Sequence, residues 1–274
     1  MVNHPEDQRL PEEREKLKTR IIETIYNDQR ISGAFFGGSV GNGTEDLYSD
    51  IDLRIITQSD QLKSLTDHKI EMASKWSDIL FIENASLSRL LVVHYTNFIK
   101  VDLFFYTPEM IRPSVWLQKI KIIKDFESGF LQNTAEQSKE INYKYSTQDY
   151  FDWRNKCFAH VHEAYRRSMR GEYYYALHDL DALRQLLAIG WYMEKGAQPN
   201  AYGDWAKLEG SRTKLSKSEL NLLASWTTSR NANDIMKTIV KIKPYFVELC
   251  RHFSRRFSLS NDEDLINSVF HRIE

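Results

Sequence analysis

Hydrophobic and polar positions along this chain follow two regimes that change near residue 140. Before that point, short apolar runs bounded by Gly, Asp and Ser alternate with amphipathic stretches. After it, the spacing is helical throughout. Residues 11–28 read as a helix opened by Pro11, with Leu17, Ile21, Ile22 and Ile25 on one face. Residues 31–36 and 51–56 are short and apolar and read as buried strands. A helix near 64–76 leads to a strand over 78–83. Two more strands, 89–95 and 98–106, flank Thr96-Asn97 as a hairpin. Residues 121–126 add a last short strand, and 132–138 read as a polar link.

The second regime predicts helices over 147–170, 173–195, 216–228, 232–257 and 262–272. Gly171 and Gly196 punctuate the first two, and Asn261 is placed to cap the last. The expected class is therefore α+β: a small mixed sheet with packed helices over residues 1–140, then an all-α bundle over 141–274. No repeat, Walker motif or zinc spacing is present. His160 and His162 lie i and i+2 on a helix, so they do not face one another and make no metal pair.

The chemistry concentrates between residues 37 and 102. The first strand runs into Gly37-Gly38-Ser39; ten residues later comes Asp50-Ile51-Asp52, and Asp102 sits inside a later apolar strand. Strand side chains alternate faces, so Asp50, Asp52 and Arg54 share one face, with neighbours about 6.5–7 Å apart. Ile51, Leu53 and Ile55 face the core. Adjacent buried carboxylates would drive one pKa upward unless a cation stood with them. Mg²⁺ suits that place, being held by one or two carboxylates together with substrate phosphates. A pair of such ions can hold the attacking and leaving oxygens of an in-line displacement. Gly37 and Gly38 let the backbone turn tightly and approach a phosphate. Ser39 offers a hydroxyl and N–H where a helix starts, a natural anion site. Arg54 shares the Asp52 face and Lys100 the Asp102 face. Each suits either of two tasks, neutralising phosphate charge or orienting the carboxylates through a salt bridge.

Gly38-Ser39, Ser49-Asp50-Ile51-Asp52-Leu53 and Ile99-Lys100-Val101-Asp102-Leu103 resemble the signature of the DNA polymerase β-like nucleotidyltransferase superfamily. Within it the chain looks most like the antibiotic adenylyltransferases, the streptomycin (aminoglycoside 6-) enzymes first and the lincosamide enzymes second. Residues 98–105 followed by Pro108-Glu109-Met110-Ile111 carry that likeness, as does the helical segment 170–187. It is strongest over 30–110, diffuse over 145–200, and slight beyond about 210. The resemblance implies that Asp50 and Asp52 bind Mg²⁺. It implies that Asp102 completes a second metal site and helps deprotonate the acceptor, and that Gly38 and Ser39 hold the triphosphate. It further implies transfer of a nucleoside monophosphate, AMP from ATP before other NTPs, to a hydroxyl of a small acceptor bound between the two parts.

Composition narrows the partners. The chain has 274 residues, enough for one elaborated domain or two moderate ones, and no apolar stretch approaches the roughly 20 residues that cross a bilayer. The polar start, with no apolar signal core, leads to an expectation of the cytoplasm. Residues 151–274 carry 19 Lys and Arg against 15 Asp and Glu, and the first 150 carry 18 against 23. Neither half is polybasic, which argues against a nucleic-acid partner. A polycationic aminoglycoside would want an acidic site, and the helical half is net basic, so a neutral or anionic acceptor stays open. So do two alternatives: a nucleotidyltransferase acting on protein or RNA, and a non-catalytic nucleotide-binding relative. Glu172, Asp179 and Asp181 are the acids of the helical half to watch as acceptor ligands or an extra base. Its many aromatic residues are expected mainly in the core, and their number leaves a homodimer open. Cys157 and Cys250, both in predicted helices, are expected as buried thiols.

Overall fold

The structure, a computed structural model, describes residues 4–260 and 262–273. The α+β class is the one observed. The chain divides into two compact units, 1–142 and 143–274.

In the first unit α1 (Leu10–Asn27) precedes β1 (Ile31–Phe36), α2 (Gly38–Asn42) and β2 (Ile51–Thr57). Helices α3 (Ser59–Asp67) and α4 (Lys69–Ser74) follow, then β3 (Ile79–Glu83), β4 (Leu90–Tyr95), β5 (Lys100–Tyr106), β6 (Lys121–Lys124) and α5 (Phe130–Lys139). The six strands form one mixed sheet in the order β3-β4-β5-β2-β1-β6. Among the described residues, only the central β2–β5 pair is parallel, and the other pairings are antiparallel. Alternation decides the faces. Ile51, Leu53 and Ile55 of β2 and Val101, Leu103 and Phe105 of β5 are fully buried. They pack with Leu17, Ile21 and Ile25 of α1 and with Met72, Ala73 and Trp76 at α4. Phe35 and Ile56 point to the other face, where Leu131 of α5 and Ile111 cover them. That cover leaves the stretch of the same face carrying Asp52, Arg54 and Asp102 only half-buried.

Three expectations change. The helix expected over 64–76 is two helices, α3 and α4, separated at His68, whose φ of −104° and ψ of 13° are not helical. The hairpin turn is wider than Thr96-Asn97: Tyr95 N–H donates to Ile99 O, and Phe98 stands at φ +63°. The polar link over 132–138 is instead helix α5. Its inward face consists of Leu131, Thr134, Ala135 and Ser138, at helical spacing but mostly too small or polar to register as a hydrophobic stripe. Its start is fixed from outside, since the Asp125 carboxylate accepts from Leu131 N–H at 2.8 Å and Gln132 N–H at 3.0 Å. These are donors that a helix terminus leaves without partners.

The second unit packs α6 (Thr147–Met169), α7 (Tyr173–Glu194), α8 (Lys217–Ser225), α9 (Ala232–Arg256) and α10 (Glu263–Phe270) around one core. Trp153, Trp191, Tyr192 and Trp226 are buried in it, whereas Tyr174, Tyr175 and Tyr202 are exposed. Cys157 and Cys250 are buried and unbridged. Burial pushes both thiols up, Cys250 to about 12, which makes them unreactive core groups. The proposed cap Asn261 lies outside the described residues. Among the described residues, no helix is long and apolar enough to cross a membrane.

Replacing Asp125 by Ala should expose the start of α5. We expect a loss of about 1–2 kcal/mol, the scale of a lost helix cap, with faster hydrogen exchange at the amides of Leu131 and Gln132. Unchanged protection at both would show that the helix does not depend on this cap.

Candidate functional site

The site is built where β1 turns into α2 and where β2 and β5 run side by side. Parallel pairing puts Asp52 directly opposite Asp102, and Arg54 opposite Phe104. Neighbouring strands stand about 4.8 Å apart, so the two aspartates leave adjacent backbones on the same face. Asp50 precedes β2 by one residue.

The carboxylates are already met by cations. Lys100 Nζ lies 2.8 Å from Asp50 Oδ2 and 3.0 Å from Asp102 Oδ2. Arg54 Nη1 lies 2.9 Å from Asp52 Oδ1, and its guanidinium stacks over the Phe104 ring at 4.7 Å. Of the two tasks open to Lys100 and Arg54 in the sequence, the geometry displays the salt bridge. Burial raises the Asp102 carboxyl above its ordinary value; the Lys100 hydrogen bond opposes this, while the charges of Asp50 and Asp52 add to it. Lys100 is also raised. Burial, which disfavours its ammonium, is outweighed by the hydrogen bonds to Asp50 and Asp102.

Two polar atoms in this cluster remain unspent. Asp102 Oδ1 is buried with no hydrogen-bond partner. Arg54 Nη1 approaches Asp52 without hydrogen-bond alignment, so it too is a buried donor lacking an acceptor. One is a free ligand for a cation and the other a free donor for an anion. Among the described residues, no group of three His, Cys, Asp or Glu side chains could hold a metal ion, and the Lys100 ammonium stands between Asp50 and Asp102. Mg²⁺ does not need a three-residue cage, since one or two carboxylates plus phosphate oxygens suffice. Asp52 and Asp102 fit that requirement.

The glycine turn is shaped by Asp52. Gly37 N–H donates to Asp52 O at 2.9 Å, holding the turn against the start of β2. Gly38 takes φ +55°, and a Cβ there would lie 1.8 Å from Asp52 Oδ2. Any side chain would displace the carboxylate itself. At Gly37 a Cβ would come 3.0 Å from Arg54 Nη1. Ser39 is buried in the single turn of α2 that follows.

One residue that positions the site was not singled out from the sequence. Arg14 is buried on α1, and its guanidinium donates to Asp46 O at 2.9 Å and Ser49 O at 3.0 Å. It thereby clamps the turn that delivers Asp50. The signal was there: Leu10, Arg14, Leu17 and Ile21 recur at helical spacing, so a charged residue occupied the buried stripe.

In the helical unit the three acids noted in the sequence have separate fates. Glu172 pairs with Arg167 at 2.6 Å, and Asp181 lies 3.6 Å from Arg184. Asp179 is buried against His160.

No protein-family model matches the sequence, and no curated protein matches it. Among solved structures, the chain is similar to an aminoglycoside 6-adenyltransferase from Bacillus subtilis, with 14% identity, a TM-score of 0.43, and coverage of 94% of this chain and 98% of that one. It is also similar to a nucleotidyltransferase-like protein from Exiguobacterium sibiricum 255-15, with 15% identity, a TM-score of 0.44, and coverage of 88% and 77%. At these values neither structure carries weight for function, which rests on the residues of the site.

Gly38→Ala should separate backbone strain from overlap. We expect a loss of about 1–3 kcal/mol from the left-handed backbone, together with loss of Mg²⁺–nucleotide binding as Asp52 is pushed aside. Gly43 also has positive φ (+70°) but has nothing within 4 Å, so Gly43→Ala should cost stability and leave binding intact. Thermal unfolding and titration calorimetry on both variants check this; equal binding by the two would contradict the role given to Gly38.

Proposed function

We propose that this protein moves a nucleoside monophosphate from a nucleoside triphosphate, ATP first among them, to a hydroxyl of a small molecule, releasing pyrophosphate in a Mg²⁺-dependent reaction. The observation that supports this most is the register of Asp52 against Asp102 beside a glycine turn that tolerates no side chain. A carboxylate pair and a close-approach backbone turn are what a metal–triphosphate complex requires, because phosphoryl transfer depends on positioning and charge neutralisation.

Asp52 and Asp102 would hold Mg²⁺, with Asp50 as the further carboxylate. Bound there, Mg²⁺ would neutralise the triphosphate and stabilise charge on the oxygens exchanged in line. The chain's own groups supply the rest. Gly37 and Gly38 let the backbone come close to phosphate oxygens, with Ser39 beside them, and Arg54 Nη1 offers its unspent N–H to one of these. Lys100 bridges Asp50 and Asp102 before nucleotide arrives; a ligand carrying its own cation would free this ammonium to pair with phosphate. Asp102 is the base we assign to the attacking hydroxyl.

A second reading, a nucleotide-binding protein without turnover, is favoured by one observation: all three carboxylates are already ion-paired to Lys100 or Arg54. The same assay decides between them. Pyrophosphate release from each NTP with Mg²⁺ is followed across aminoglycosides, lincosamides and simple polyols, with Asp52→Asn as control. Acceptor-dependent release that falls about 100- to 1,000-fold in Asp52→Asn is expected, the scale for losing one electrostatic group in an active site. Full activity in that variant would sink the assignment, and nucleotide binding without release would favour the second reading.

A further inference from the structure

Two cations stand among the three carboxylates, and they are held in different ways. Arg54 is packed in place. Its guanidinium stacks over the Phe104 ring, its Nη1 lies 2.9 Å from Asp52 Oδ1, and it faces Gly37, where a Cβ would come within 3.0 Å of Nη1. Lys100 has no such frame. It is the first residue of β5, its side chain is 34% exposed, and among the described residues its ammonium is held by the two carboxylate oxygens it bridges. Lysine carries a compact charge on a flexible stem, whereas the arginine fork is rigid and planar. Of the two cations, Lys100 is the one that can leave its place without disturbing a packed neighbour.

Its present place bears on what the carboxylates can accept. The ammonium ties Asp50 Oδ2 to Asp102 Oδ2, and Asp102 keeps Oδ1 alone unspent. Mg²⁺ demands near-octahedral oxygen ligands and gives up its water reluctantly, so a bare ion has to push the ammonium aside. The displaced ammonium would then stand in a half-buried cluster without an anion to meet it, which is costly. A triphosphate removes that cost, because its oxygens take the ammonium as the carboxylates release it. Charge runs the same way. Three carboxylates against two cations leave the cluster one negative charge. A bare divalent ion reverses that sign, whereas a metal arriving with a triphosphate brings more negative charge than positive.

We propose that Lys100 is an internal counter-ion that keeps a bare divalent cation out of this site and admits one only together with a nucleoside triphosphate. This rests on the nucleotidyl transfer proposed above and adds an order of binding to it: metal and nucleotide enter as one ligand. Such coupling is reciprocal, so the nucleotide gains from the metal the same factor that the metal gains from the nucleotide. Removing the ammonium has two effects of opposite sign. The carboxylates, with one cation fewer, take a bare metal ion more tightly. The triphosphate, with one partner fewer, binds less tightly. General damage to the fold would weaken both.

The test titrates Mn²⁺, an oxygen-bound stand-in for Mg²⁺ that paramagnetic resonance counts directly, into the full chain. The titration is run alone and with the α,β-methylene analogue of ATP. Wild-type protein should bind Mn²⁺ at least about 10-fold more tightly with the analogue than without it. Lys100→Met should bind Mn²⁺ alone at least about 10-fold more tightly than wild type does, the scale of a close charge pair, and should bind the analogue with Mn²⁺ more weakly. Lys100→Arg keeps the charge and should keep the bare ion out. If Lys100→Met does not fold, Lys100→Gln takes its place. Wild-type protein that binds Mn²⁺ as tightly alone as with the analogue would overturn the proposal. So would unchanged Mn²⁺ affinity in the uncharged variant. In either case, analogue binding with Mn²⁺ leaves the proposed function standing and only the role of Lys100 falls; if wild-type protein does not bind the analogue with Mn²⁺ at all, both fall.

Discussion

Three carboxylates can stand together at one end of a sheet only if positive charge stands among them. In this chain the parallel pairing of β2 with β5 forces the issue, because it sets Asp52 opposite Asp102 and brings Asp50 to the same end. Like charges at that spacing repel, and burial removes the water that would screen them. Lys100 and Arg54 answer from within the same two strands, two residues from Asp102 and Asp52 respectively. The answer is incomplete, since Asp102 Oδ1 and Arg54 Nη1 each keep a bonding position unspent. A metal-bound polyphosphate carries both kinds of partner, positive metal for the first and anionic oxygen for the second.

The other parts of the first unit serve this strand pair. Gly38 yields its side-chain space to the Asp52 carboxylate, and Gly37 ties the turn to the Asp52 carbonyl. Arg14 reaches from α1 to hold the carbonyls of Asp46 and Ser49, just ahead of Asp50. On the opposite face Leu53 and Leu103 are sealed into the core, so neither strand can slip by one residue without turning leucine to water and aspartate inward. The register that places the core also places the chemistry.

Much of this was legible before the structure. Alternation in residues 51–56 gives the correct core face, and Asp52 and Asp102 are marked by being polar within apolar strands, Asp50 by standing at the head of the first. What escaped had physical reasons. Helix α5 buries Thr134, Ala135 and Ser138, which carry little hydrophobic signal, and it takes its cap from Asp125 outside the helix. The break at His68 interrupts a stretch whose apolar spacing continues across it. Arg14 reads as surface charge until its place on the buried stripe is counted. His160 sits two residues from His162 on one helix, but its partners are Asp179, 19 residues away, and Tyr202, 42 residues away. Spacing along one helix carries no information about a neighbouring helix or the segment beyond it.

The most direct measurement is a crystal structure with Mg²⁺ and a non-hydrolysable nucleoside triphosphate. The account predicts metal bound by Asp52 and Asp102, phosphate oxygens at the Gly37-Gly38 turn, and the Lys100 ammonium released from its bridge between Asp50 and Asp102. Lys100 still bridging those carboxylates, with nucleotide bound elsewhere or absent at saturating concentration, would contradict it.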